Sequence, residues 1–176
     1  MTRQRLTMTW VLTIFLMSIF AGLSWAEVDL TLAAGGQNLE VSGFQAFPVA
    51  SALILLQAVA LLTNLFTPEL FGRLIAALLI PIQLWHLIAV SSSGAMAVQI
   101  AVETKVAEIT GVVGSAGQIE FIQSTITTSM WGVYIFALAI NLLVLVARSS
   151  LKASPRVRNP SAPEDQDSGD LWESQR

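Results

Sequence analysis

Residues 47–66 read FPVASALILLQAVALLTNLF, a stretch without a single Asp, Glu, Lys or Arg. At 1.5 Å of rise per residue, about 20 helical residues cross the roughly 30 Å hydrocarbon core of a bilayer. Eleven of these positions are Leu, Ile, Val or Phe. Each favours insertion by about 0.3 to 0.6 kcal/mol, and the sum of roughly 3 to 7 kcal/mol outweighs the few polar side chains. Outward from this segment, three more stretches share its character, near 7–26, 72–90 and 129–147. The one charged residue within any of the four is Arg73, at an end where its stem reaches the headgroups. Backbone polar groups in lipid must bond within their own segment, which selects helices, and no alternation typical of barrel strands is present. The expected fold is therefore all-α and integral to the membrane: a four-helix transmembrane bundle over residues 1–147, with a tail over 148–176.

Composition agrees. Hydrophobic residues make up 54% of the 176 positions and charged residues 12%, a balance that water-soluble domains of this length do not carry. The chain has no cysteine, which excludes disulfides, thiolate catalysis and Cys-ligated metals. Its bases cluster: Arg3 and Arg5 precede the first span, Arg73 sits at the second turnaround, and Arg148, Lys152, Arg156 and Arg158 follow the fourth. The loops 27–46 and 91–128 instead hold Glu27, Asp29, Glu40, Glu103, Glu108 and Glu120 against Lys105 alone. By the positive-inside rule those loops are external and both termini cytoplasmic. Trp25, Trp131 and Trp10 are expected at span ends, in aromatic belts. A cleaved signal peptide is the competing reading of the start, because Ser24-Trp25-Ala26 offers a small-x-small site; the length of the apolar run favours a retained anchor.

The first external loop alternates Val28, Leu30 and Leu32, pauses at Ala33 to Asn38, and resumes with Leu39 and Val41, the pattern of a small external hairpin. In the second, Val98, Val102, Val106 and Ile109 recur at helical spacing, so a short amphipathic helix is expected near 95–110, lying on the membrane or capping the bundle. The stretch 119–122 carries no assignable pattern. The tail holds Pro155, Pro160 and Pro163 and ends acidic, too poor in apolar residues to build a core, and is expected to be disordered. Its basic start suits anionic lipid, and Leu171 with Trp172 is a candidate docking point for a partner protein.

The polar residues that stand out inside the spans are Gln57, Gln83, His86 and Asn141. A polar group in hydrocarbon needs a partner, so each is expected to face the bundle interior. Gln57 and Gln83 lie near the midplanes of antiparallel neighbours, where an amide-to-amide bond fits. The set reads as helix-to-helix fastening or as a small-ligand or proton site centred on His86, with Pro81 placed to kink span three. Ser18, Gly22 and Ala26 form a small-xxx-small stripe, a packing face inside the bundle or between protomers. One histidine without cysteine or an intramembrane carboxylate supplies no triad, metal cage or acid/base pair. No Gly-rich phosphate loop or nucleic-acid patch is present either. No catalytic residue, metal or cofactor is expected, and the bilayer is the expected partner.

The layout resembles the tryptophan-operon-associated conserved membrane protein family of actinobacteria. The residues that carry the likeness are the basic start, Val41-Ser42-Gly43, Pro48 with Ala50, Ser51 and Ala52, the threonines 125, 127 and 128 before Trp131, and Asp170-Leu171-Trp172. The chain departs from the family where Gly132, in place of proline, follows Trp131. The resemblance implies a bacterial plasma membrane and a gene neighbourhood in tryptophan biosynthesis, with no site residues to carry over. The expected role is a non-enzymatic accessory or scaffold protein, with a homo-oligomer or a membrane partner; the alternative is a small carrier or transporter subunit for an aromatic metabolite.

Overall fold

The computed structural model describes residues 3–150. The tail from 151 onward, with the docking pair Leu171 and Trp172, lies outside the described residues. Four helices are long and apolar enough to cross a membrane: α1 (Arg3–Gly22), α3 (Val49–Phe66), α4 (Glu69–Thr110) and α6 (Met130–Ser150). They close into a ring in which α1 packs on α3 and α6, and α4 packs on α3 and α6. Only 28 to 33% of each apolar window is buried. The remainder presents large hydrophobic side chains outward, among them Phe15, Leu55, Leu62, Leu78 and Phe136. Helices apolar on every side need lipid around them, since soluble monomers do not expose continuous apolar surface on this scale.

The turn between α3 and α4 is Thr67-Pro68, where proline forces its predecessor out of helical geometry. Arg73 pairs with Glu69 one turn earlier at 3.1 Å. Close to this turn the helices touch: a Cβ on Gly72 would lie 1.9 Å from Asn64 Oδ1.

Three expectations need correction. The helix that carries span three does not end near residue 90. It continues through Ser91, Ser92 and Ser93 to Thr110, 42 residues in one element, and the amphipathic stretch at 95–110 lies in its C-terminal half. The serines do not break it because each hydroxyl bonds back to a carbonyl of the preceding turn, Leu87 O or Ala89 O. It stops at Gly111, whose φ of 70° and N–H bond to Ala107 O form a left-handed cap. At about 63 Å, α4 is twice as long as the hydrocarbon core is thick.

The second correction is that the fold is not purely α. The hairpin is present as β1 (Ser24–Leu30) and β2 (Asn38–Ser42), turning through Gly35 and Gly36 at positive φ. The unassigned stretch makes a 3-10 turn (Ile119–Phe121) and enters a strand the sequence did not suggest, β3 (Ile122–Thr127), antiparallel to β1 on its other edge, in the order β2-β1-β3. A one-turn helix, α2 (Gly43–Ala46), leads into α3, and another, α5 (Ser115–Gln118), leads toward β3. The sheet's inner face, Ala26, Val28, Leu30 and Val41, shares one core with Val98, Ala101, Val102 and Val106 of α4. This is how a sheet of only three strands is held: its apolar face is buried on a helix.

Third, α1 ends at Gly22 and Ala26 lies in β1, so Ser18, Gly22 and Ala26 do not form a stripe on one helix. Gly22 is exposed and Ser18 half-buried. The face of α1 that packs inward is Leu6, Trp10, Thr13, Met17 and Ala21. Trp10 and Trp25 are also fully buried rather than set in lipid-facing belts. At the far end, α6 runs to Ser150, past the expected boundary at 147.

Candidate functional site

The four intramembrane polar residues lie on inward faces because each sits on its helix's buried repeat. Gln57 follows Ala50 and Leu53 on α3; Gln83 and His86 follow Ala76 and Leu79 on α4; Asn141 follows Tyr134, Ala137 and Leu138 on α6. All four are at most 1% exposed. Gln57 Nε2 donates to Gln83 Oε1 at 2.8 Å, joining α3 to α4. Gln57 Oε1 accepts from the Trp10 indole at 3.2 Å, which brings in α1. Gln83 Nε2 in turn reaches Leu138 O at 3.5 Å on α6 and Met17 Sδ at 3.9 Å on α1. One connected set of polar groups therefore touches all four spans.

A second branch joins α1 to α6. Asn141 Nδ2 donates to Thr13 Oγ1 at 2.9 Å, and that hydroxyl donates to Trp10 O. One turn above Gln83, His86 Nε2 meets the Tyr134 hydroxyl at 3.1 Å. The His86 ring stands edge-on to Tyr134 and to Phe47, and Trp25 stacks obliquely on Tyr134 at 5.4 Å. Trp25 is held by its own indole bond to Phe20 O and by Gly43, where a Cβ would fall 2.4 Å from the Trp25 ring. These aromatic groups fill the junction between bundle and sheet.

Comparison with protein families, with curated proteins and with solved structures finds no match. The chemistry of the site must be read from its geometry. Among the described residues His86 bonds to the Tyr134 hydroxyl and meets two aromatic rings, with no carboxylate in contact with it. Among the described residues no three His, Asp or Glu side chains come together to hold a metal. The amides of Gln57 and Gln83 spend their donors and acceptors on one another and on neighbouring helices. Such bonds contribute about 0.6 kcal/mol each on average in membrane proteins, enough to set the relative height of helices.

The partners Trp10, Thr13, Met17 and Tyr134 are not evident from the sequence. Trp10, Thr13 and Met17 do recur at three- and four-residue spacing, a stripe hidden by the apolar residues around it. Asn64 is also buried near the C-terminal end of α3, its amide against Gly72, with no hydrogen-bond partner for either polar atom.

Proposed function

We propose that this chain is a non-catalytic multi-pass membrane protein, an accessory or scaffold subunit that holds a folded layer rigidly at the outer surface. The reading takes the bundle as the mount and the sheet with the outer half of α4 as the part that meets other molecules. The observation that carries it is the polar set centred on Gln57 and Gln83, whose groups bond across all four spans instead of lining a route through them. A carrier needs groups that can exchange partners with a substrate, and proton coupling usually relies on an intramembrane carboxylate; the spans contain none. The distribution of arginine and lysine supports cytoplasmic termini, and the family resemblance implies a plasma membrane.

The test is flux. Vesicles containing the purified chain should take up labelled aromatic amino acids no faster than empty vesicles, with or without a proton gradient. Uptake by the native chain that disappears in both Gln83→Leu and His86→Ala would replace this reading with that of a small carrier. The resemblance to the tryptophan-operon-associated family makes tryptophan the first substrate to try.

A further inference from the structure

The outer layer contains a cleft that the bundle does not need for its own packing. It lies between the outer half of α4, the α5 turn and β3, with a volume of about 350 Å³, within the range of small-molecule sites. Val98 and Val102 of α4 form one wall, and Ile119 and Ile122 the other. Gln99, Glu103 and Gln118 also line it. Cavities of this kind, largely apolar with a few convergent polar groups, are the usual form of a ligand site.

Beside the hydroxyls of Ser115, Thr125 and Thr127, two acceptors stand out. Gln118 is 1% exposed, and its Nε2 is fixed by two carbonyls, Glu103 O at 2.9 Å and Val112 O at 2.8 Å. These bonds fix the orientation of the amide, and its Oε1 remains buried without a partner. Buried acceptors in proteins are almost always satisfied, so an orphan beside a cavity asks for a donor from outside. Glu103 supplies the negative charge, with Gln99 Nε2 bonded to its Oε1 at 3.0 Å. No Lys or Arg lines the cleft. Lys105, the only base in the loops 27–46 and 91–128, lines a different cavity and donates to Glu40 O.

We propose that this cleft binds a small primary ammonium compound with an apolar body. The ammonium N–H groups pair with the Glu103 carboxylate and the Gln118 oxygen, and the body packs between Val98, Val102, Ile119 and Ile122. Glu103 is the one charged residue of the lining and repels an anion, and a quaternary ammonium lacks the N–H that Gln118 requires. The proposal rests on the outer layer alone and stands whichever way the flux assay falls.

The experiment titrates the full chain, in phosphatidylcholine nanodiscs, with 2-phenylethylamine by calorimetry. Phenylacetate and the N,N,N-trimethyl form of the amine serve as comparisons. Saturable binding of the amine is expected, with about tenfold or greater weakening for the trimethyl form and for Glu103→Gln, and no binding of phenylacetate. Ile119→Trp, on a side chain at the exposed rim, should block the cleft and abolish binding while the circular dichroism spectrum is unchanged. Repeating the titration in phosphatidylethanolamine nanodiscs assigns the natural source: competition points to a lipid headgroup, and an unchanged affinity to a free amine. Absence of saturable amine binding in phosphatidylcholine, equal binding of phenylacetate or of the trimethyl form, or full affinity in Ile119→Trp would overturn the proposal.

Discussion

Gly72→Ala would place a methyl group 1.9 Å from Asn64 Oδ1 and 3.1 Å from Asn64 Cγ. Ordinary contact requires roughly 1 to 2 Å more than the first of these distances. The helices cannot part easily to supply it, because Thr67-Pro68 ties α3 to α4 just beyond the contact. Asn64 is 2% exposed, so its amide must turn within a packed interior. The turn breaks no hydrogen bond, since neither Asn64 Oδ1 nor Nδ2 has a partner. What remains is overpacking and an off-rotamer side chain, about 1 to 3 kcal/mol. Asn64→Ala removes the obstacle together with two unsatisfied polar atoms, and the double variant should match Asn64→Ala alone within about 0.5 kcal/mol. The assay is reversible unfolding in mixed micelles of increasing SDS content, followed by circular dichroism. Wild-type stability in Gly72→Ala, or a double variant in which the two effects simply add, would refute the contact as described.

The amide pair gives a second expectation. Gln83→Leu removes the bond to Gln57 and strands Gln57 Nε2, so it should destabilise by about 1 to 3 kcal/mol in the same unfolding assay. Gln57→Leu with Gln83→Leu should cost less than the two single changes added together, because neither amide is left to be stranded by the other; strict additivity would count against the pairing. Orientation is checked with single cysteines introduced into the cysteine-free chain at Gln37 and Ser150. A membrane-impermeant thiol reagent applied to intact cells should label the first and spare the second, and the reverse pattern would invert the assigned sidedness.

The apolar runs reveal the four spans because lipid imposes one simple requirement, about twenty uninterrupted apolar helical residues. Gln57 and Gln83 are legible as partners for a related reason: hydrocarbon leaves an amide nowhere to go but another amide or a backbone group. The hairpin is visible from local alternation around Gly35 and Gly36. β3 is not, since its pairing of Ser124 with Asp29 and Thr125 with Val28 joins segments far apart in the chain, and Ile122 to Thr127 shows no clear burial pattern of its own. The extension of α4 is hidden because serine usually marks loops, whereas the hydroxyls of Ser91–Ser93 are satisfied within the helix by Leu87 O and Ala89 O. Trp10 and Trp25 mislead by position alone. A tryptophan near a span end favours the interface on average, but the Gln57 oxygen and the Phe20 carbonyl give these two indoles acceptors inside the protein.

The unbroken course of α4 makes the spacing between Gln83 and Val98 a matter of angle as well as distance. Each residue advances the helix by about 100°, so one inserted among the serines would swing Val98, Val102 and Val106 away from the underside of the sheet while Gln83 stayed on Gln57. Seven inserted residues, close to two full turns, would restore the facing but carry Val98, Val102 and Val106 about 10 Å past a sheet that its short links to α1, α2 and α6 hold in place. The length of this segment is thus constrained in phase and in height together, even at positions whose side chains touch neither half.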